Sequence, residues 1–375
     1  MTSRSLDRLR FGLWYDFRNP AAWEQQPKRL YAEILEQIVW AENNGFDDVW
    51  LSEHHFAPDG YLPSPLAMAA AIAAKTKRIR IATGVLQLPF NNPVRVAEDV
   101  ATVDIISGGR FELGVGAAYR PEEFDGFGVP FRQRARRTNE SLEIIRRLLE
   151  GETLTFTGRH YQIANVRLAP QPLQEPRPPI WIGAITPASL KARAAHVDGL
   201  MMVGFTPKLL RQAMYSDGFA KPSFPPKTLY RAWVSAVTKG GRSVDNLKLA
   251  GGFPWLIVSD DPERTWREAA EHVIYQYNQF ASWDEESGQD LGRRSIESID
   301  ELRERGLLDV VDAPTCVRLI RDYCNELPIT HYLSWALPPG LPPAWLQPHL
   351  ELFASRVIPA FRSEQRSMLG SDPQA

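Results

Sequence analysis

The chain has 375 residues, 44% of them hydrophobic, with Lys+Arg 43 against Asp+Glu 45 for a net charge of −2. That balance leaves no electrostatic footprint for nucleic acid or an acidic membrane, and the apolar fraction is ample for a large core. The length admits two domains, yet α/β barrels use this size as one unit.

Phe11 to Phe17 predicts a short aromatic strand. The helix after it carries Leu30, Tyr31, Ile34, Leu35, Ile38 and Val39 on one stripe, with Glu33, Glu36 and Gln37 opposite. Asn44-Gly45 ends it as a left-handed cap, and Asp48 to Ser52 reads as strand two. Ser64-Pro65 is an N-cap plus first-turn proline that opens an Ala-rich helix through Ala74. Strand three is Ile79 to Leu86. Asn92-Pro93 repeats the cap signal for a helix to about Ile106, which Gly108-Gly109 stops. Strand four is Arg110 to Val115, and a helix from about Gln133 to Glu150 ends at Gly151. Repeated β-α units with short connections argue for a parallel sheet with helices outside it.

Glu152 to Pro179 breaks the rhythm with strand-like Thr153 to Phe156 and Tyr161 to Leu168, then a run of prolines, and reads as an excursion packed over the barrel. The alternation resumes with strand Ile180 to Ile182, helix Pro187 to Ala195 and strand Leu200 to Val203. Gly204 to Tyr230 is poorly patterned. Phe253 to Val258 predicts the seventh strand, leading into the Asp260-Asp261-Pro262 cap and a helix to about Phe280. Ala281 to Leu308 reads as a charged surface loop with a short helix. Thr315 to Glu326 is helical, His331 to Leu337 is the last strand, and Pro343 to Phe361 is the closing helix. The count gives an α/β fold, a (β/α)8 TIM barrel, with excursions after strand four and around strands six and seven. One domain is expected over residues 1–362, with residues 363–375 as a polar tail.

Cys316 and Cys324 are eight residues apart on one predicted helix, ~12 Å and too far for a disulfide, so both read as buried thiols in a reducing compartment. Met1 to Arg10 has no apolar stretch behind it, so no signal peptide is expected. Pro65 to Ala74 falls short of the ~20 residues a membrane helix needs. The expected location is cytoplasmic. Eleven Trp and 30 Pro suggest an aromatic-lined cavity and well-defined loops.

In a closed barrel the loops after the strands share one rim, where this fold keeps its chemistry. The loop after strand two carries Glu53-His54-His55-Phe56. Because strand side chains alternate, Glu53 and His55 should face one way and His54 the other. After strand three comes Thr83-Gly84-Val85-Leu86-Gln87, where Gly signals a bulge or a close backbone approach. After strand four, Gly116-Ala117-Ala118-Tyr119 is small enough for a flat or anionic ligand to approach the backbone. After strand five, Ala184-Ile185-Thr186-Pro187 opens a helix with Thr186 as its N-cap, an arrangement suited to a phosphate. Adjacent histidines on a strand point apart, which argues against a shared metal. No His-Glu-x-x-His, Cys-x-x-Cys, Walker loop or Rossmann glycine pattern is present.

Ser52-Glu53-His54-His55-Phe56, the run Thr83 to Val94, Gly109-Arg110-Phe111-Glu112-Leu113-Gly114-Val115-Gly116 and the late Val357-Ile358-Pro359 together resemble the bacterial luciferase-like monooxygenase family of flavin-dependent (β/α)8 barrels. The likeness runs from Arg10 to about Arg362. It implies reduced FMN (FMNH2) from a separate flavin reductase, and transfer of oxygen from O2 through a C4a-peroxyflavin to a small organic substrate, which the aromatic content suggests is apolar. It also implies a non-prolyl cis peptide at Gly84-Val85, with the flavin held by Gly84, Val85, Gly116, Ala117, Tyr119, Ala184, Ile185, Thr186 and Ser189. By the same resemblance His54 is the general base near the flavin, His55 supports it, Trp14 lines the substrate cavity and Glu98 is a buried structural partner. The luciferases place an arginine where this chain has Ala117, so the phosphate must be met by backbone N–H groups, by Thr186 and Ser189, or by Arg120. A homodimer is expected. Coenzyme F420 is the second choice of cofactor, because the deazaflavin branch usually lacks Glu-His-His. A flavin store or auxiliary subunit is the non-catalytic alternative, for which a base at C4a would have no use.

Overall fold

The computed structural model describes residues 6–183, 186–202, 226–288 and 293–362. Eight parallel strands form the barrel: Arg10–Tyr15, Asp48–Leu51, Arg80–Thr83, Phe111–Gly116, Ile180–Gly183, Gly199–Met202, Lys248–Gly251 and His331–Trp335. The first strand pairs with the eighth, Gly12 opposite Leu333, and the third with the fourth, Ile81 opposite Phe111, which closes the ring. Strands covered on both faces read as apolar runs, and every residue of Phe111–Gly116 is buried. Helices Pro27–Asn43, Pro65–Lys75, Pro93–Ser107 and Arg134–Leu149 follow the first four strands. Among the described residues no helix is long and apolar enough to cross a membrane.

The barrel interior is aromatic. Trp14 stacks on Trp335 with centroids 4.0 Å apart, Trp255 lies 6.4 Å beyond it, and Trp50 meets Trp181 edge-on at 5.1 Å. The surplus of tryptophan thus fills the space inside the strands. The excursion after the fourth strand is an antiparallel hairpin, Leu154–Thr157 against Gln162–Val166.

Several expectations are corrected by the structure. The seventh barrel strand is Lys248–Gly251, not Phe253 to Val258. Within the latter stretch Leu256–Val258 pairs instead with Asp309–Val311 in a separate two-stranded sheet. Gly252 hid the true strand, since it looks like a breaker. Its bare Cα in fact lets the backbone pass Leu333, whose oxygen would lie 1.9 Å from a Cβ there. The helix from Pro262 runs on to Ser287, seven residues past Phe280, because Ala281, Trp283 and Asp284 are buried while charged Glu285 and Glu286 face outward. Gln37 is buried, not solvent-facing: its amide bridges the Tyr15 hydroxyl and the Pro343 carbonyl. Glu98 is exposed and pairs only with Arg95 on the surface. Ser64 makes no side-chain cap, whereas Asn92 and Asp261 do. Helices Pro121–Gly126 and Pro226–Lys239 were not foreseen, and the closing helix is broken by a π turn at Phe353–Val357. Most of Gly204 to Tyr230, together with Ala184, Ile185 and the tail 363–375, lies outside the described residues.

The turn between helix Pro65–Lys75 and the third strand is clamped from both sides. Glu42 accepts from the backbone N–H groups of Lys77, Arg78 and Ile79. Arg110 donates to the carbonyls of Ala73, Thr76, Ile79 and Ser107 and to the Thr76 hydroxyl, at 2.6–3.1 Å. Every nitrogen of that guanidinium has a partner, and the carbonyls that a helix end leaves open are satisfied. Arg110→Met is expected to cost about 3 kcal/mol of unfolding free energy, because it strands buried carbonyls. Arg110→Lys should recover little, since one ammonium cannot span the set. Urea unfolding followed by circular dichroism measures both.

Candidate active site

At Thr83 the third strand leaves the sheet. Its hydroxyl donates to the Gly114 carbonyl at 2.6 Å and accepts from the Gly114 N–H at 2.9 Å. A Cβ at Gly114 would lie 2.0 Å from the Thr83 oxygen, so only glycine allows this approach. The next peptide, Gly84-Val85, is cis, as the resemblance implied. Val85 then reaches across the ends of strands four and five, into room that Cβ atoms at Gly116 (2.6 Å) and Gly183 (2.9 Å) would occupy. Gly84, Val85 and Gly116 are therefore one packed unit at the mouth. Trp14 lies beneath it, its Nε1 3.4 Å from the position of a Gly84 Cβ.

The Glu53-His54-His55 segment divides as strand alternation predicts. Glu53 Oε1 meets His55 Nε2 at 2.8 Å, while His54 turns to Glu123, with Nδ1 2.8 Å from Oε1. Glu123 also accepts the His55 backbone N–H at 2.8 Å. Gln87 holds Glu53 twice, donating its backbone N–H to Glu53 Oε2 at 2.6 Å and its amide to the Glu53 carbonyl at 2.7 Å. Among the described residues, two buried acceptors remain open here, Gln87 Oε1 and Glu123 Oε2.

His54 is 8% exposed and ringed by Trp283 (4.6 Å between centroids), Tyr61 (4.8 Å) and Tyr119 (5.6 Å). Burial pushes its imidazole below the usual range, with Glu123 opposing in part. Burial would raise Glu123, but His54, the His55 N–H and Arg120 hold the carboxylate below the ordinary range. An ionised Glu123 takes the Nδ1–H of a neutral His54, which leaves Nε2 as the basic nitrogen. Burial raises Glu53, against the bonds from His55 and Gln87.

Not every anticipated residue joins this cluster. Ala117, Ala118 and Tyr119 are half-buried, with Ala118 in the left-handed region at φ 54°, and Tyr119 reaches both His54 and Arg293. Thr186 caps helix Pro187–Arg193 by accepting the Ser189 N–H at 3.2 Å, and the Ser189 hydroxyl donates back to the Thr186 carbonyl. Arg120 is not available for a phosphate. It is 2% exposed and committed to the His55 carbonyl at 2.9 Å, to Glu122 at 2.5 Å and to the face of Trp283.

Sequence reasoning missed Glu123, Gln87, Tyr61, Trp283 and Arg18. Glu123 had a signal: Pro121-Glu122-Glu123 is a first-turn proline with acidic residues, the mark of a helix start. Trp283 had one too, the 3–4 spacing through Gln276, Phe280 and Trp283 along the helix.

A model of the luciferase-like monooxygenase family matches residues 9–313. The 4-hydroxyprotoasukamycin monooxygenase of Streptomyces nodosus subsp. asukaensis is 26% identical over 95% of this chain and 93% of its own. The oxygenase component of the flavin-dependent trigonelline monooxygenase of Acinetobacter baylyi is 33% identical over 48% of this chain and 50% of its own. The chain spans little more than half the length of some relatives, 58% and 52% for two uncharacterized proteins of Sinorhizobium fredii. Among solved structures, monooxygenase RslO1 from Streptomyces bottropensis superposes with a TM-score of 0.73 at 22% identity, covering 94% of this chain and all of that one. An F420-dependent secondary alcohol dehydrogenase does so at 0.71 and 21%, covering 94% and 99%. At these identities the structural likeness shows the fold alone, the closed barrel. With a family model over most of its length, the chain belongs to the luciferase-like monooxygenases.

Proposed function

We propose that this protein is the oxygenase component of a two-component flavin-dependent monooxygenase, taking FMNH2 from a separate reductase and using O2 to oxygenate a small organic substrate. The observation that carries the reading is the buried His54–Glu123 pair at the barrel mouth, which fixes a neutral imidazole beside a protein-enclosed, aromatic-walled site. Family membership and flavin-dependent relatives support it.

The residues fit a reduced flavin. Gln87 Oε1 and Glu123 Oε2 are buried acceptors without partners, and a reduced flavin ring carries N–H donors. Gly84, Val85 and Gly116 would support the ring. The backbone of Ala117 and Tyr119, with Thr186 and Ser189 and the stretch through Ala184 and Ile185, would hold the phosphate without a cationic side chain. Bound reduced flavin supplies the electrons that activate O2.

The chain's own groups do the rest. Glu123 fixes the tautomer and orientation of His54, so that Nε2 can take or hold a proton at neutral pH. Glu53 and Gln87 fix the adjoining His55. Trp283, Tyr61 and Tyr119 keep water from the imidazole, which strengthens each polar contact made there. Trp14 lies in the barrel floor below Gly84, lining the inner end of the substrate space. A homodimer in the cytoplasm is part of the same reading. A deazaflavin enzyme would share this barrel, and an F420-dependent protein has the same fold, so the cofactor is decided by experiment.

Purified protein given photoreduced FMN should bind it and consume O2 at a rate that His54→Ala lowers by ~10²-fold. O2-independent hydride transfer from reduced F420, with FMNH2 oxidised no faster than in buffer, would overturn the assignment. Glu123→Gln removes the charge that holds the His54 pKa up. The acid limb of the pH–rate profile should therefore move to lower pH while the plateau falls by ~10-fold or more. An unmoved limb would show that His54 is not the titrating base.

A further inference from the structure

A second buried cation sits in this mouth and is built differently from Arg110. Arg18 follows the first barrel strand, where Phe17 turns in the left-handed region at φ 60°. Its side chain is wholly buried. Nη1 donates to Asp59 at 3.1 Å, and Nε faces Asp16 at 3.2 Å without hydrogen-bond alignment. Nη2 has no partner among the described residues. The guanidinium lies over three rings, Tyr61 at 4.5 Å, Phe280 at 4.8 Å and Trp283 at 5.1 Å. Two of those rings, Tyr61 and Trp283, are the ones that wall His54.

At Arg110, by contrast, each nitrogen is placed on an oxygen. An arginine fork buried with an unused donor costs stability unless something meets it. Of its two counter-charges, Asp16 is pushed up to about 6 by burial, with Asp59 adding, against the pull of Arg18. The site therefore keeps a planar cation with an open donor edge, framed by flat apolar walls and sharing those walls with the proposed base. A guanidinium edge matches a carboxylate, and stacked rings match a conjugated body.

We propose that Arg18 selects the substrate, its Nη2 edge binding the carboxylate of a flat aromatic acid whose ring lies against Tyr61, Phe280 and Trp283. This rests on reading the mouth as the oxygenase site, and it narrows the small organic substrate to one class. Asp59 and Tyr275, whose hydroxyl donates to Asp59 at 3.2 Å, act as positioning residues for the guanidinium.

Benzoate and its neutral analogue benzamide are titrated into the purified full chain without flavin, followed by tryptophan fluorescence and calorimetry. Benzoate is expected to bind at least tenfold more tightly than benzamide. Arg18→Met should erase that preference, with near-ultraviolet circular dichroism as the check on its fold. Asp16→Asn removes a competing negative charge while keeping Arg18, and should tighten benzoate at least threefold. This second variant carries the test if Arg18→Met fails to fold. Equal binding of benzoate and benzamide, a preference that survives in folded Arg18→Met, or looser benzoate binding in Asp16→Asn would each overturn the proposal. Because no flavin is present, benzoate selectivity without O2 consumption in the FMN assay would leave Arg18 as a reader of acids and remove the oxygenase reading alone.

Discussion

The contact between Thr83 and Gly114 is the constraint on which the mouth depends. It closes the ring between the third and fourth strands and also ends the third strand there. The chain bulges out of the sheet at Gly84-Val85 before Leu86 and Gln87 pair again with Val115 and Gly116, which puts Val85 over the ends of strands four and five. Glycines at 116 and 183 are then required by Val85, not by a ligand. Gln87, two residues on, arrives where its backbone N–H and its side-chain amide both bond Glu53. Closure of the fold and assembly of the site are thus one event in the backbone, and a change that loosens the first would misplace the second.

The two ends of the barrel handle charge in different ways. At the N-terminal end Glu112 accepts from Arg80 at 2.5 Å and Trp181 at 2.6 Å. Burial would raise it, but Lys248, Arg80, His331 and Trp181 bring it down to about 2. That is an ion network of the stabilising kind, as the fold's division of labour leads one to expect. At the mouth the charges are incompletely matched: Glu123 and Gln87 keep open acceptors, and Arg18 keeps an open donor. Buried groups left unsatisfied are costly, so open acceptors and an open donor gathered around His54 form a set that a ligand would satisfy.

Much of the architecture was legible in the sequence because hydrophobic period and punctuation agreed. Pro93 behind Asn92, Gly108 and Gly109 after Ser107, and the alternation in Phe111 to Val115 each pointed to the element that formed. The seventh strand was missed for a physical reason: Lys248–Gly251 is four residues long and runs into a second glycine, Gly252, whereas the more apolar Leu256–Val258 pairs outside the ring. The residues of the site were legible only where chemistry was concentrated, at Glu53-His54-His55. Glu123 could not be paired with His54 by inspection, since the two are 69 positions apart and meet only when the barrel closes. Glu98 was assigned from a family pattern and Arg120 offered in place of the arginine missing at Ala117, and the solvent exposure of one and the prior commitments of the other correct both.

The helix Pro262–Ser287 gives these separate facts a common cause. Its inner face presents Gln276, Phe280 and Trp283 in succession, each one turn further along. Gln276 donates to Asp16 at 3.2 Å, Phe280 lies over Arg18, and Trp283 touches Arg18, Arg120 and His54. One rigid element therefore sets the distance between the cation after strand one and the imidazole after strand two. A substrate gripped at Arg18 would be presented to His54 along the length of that helix face, and positioning by a helix is tighter than positioning by a loop. The charged surface of the same segment, which made it read as a loop, is simply its other side.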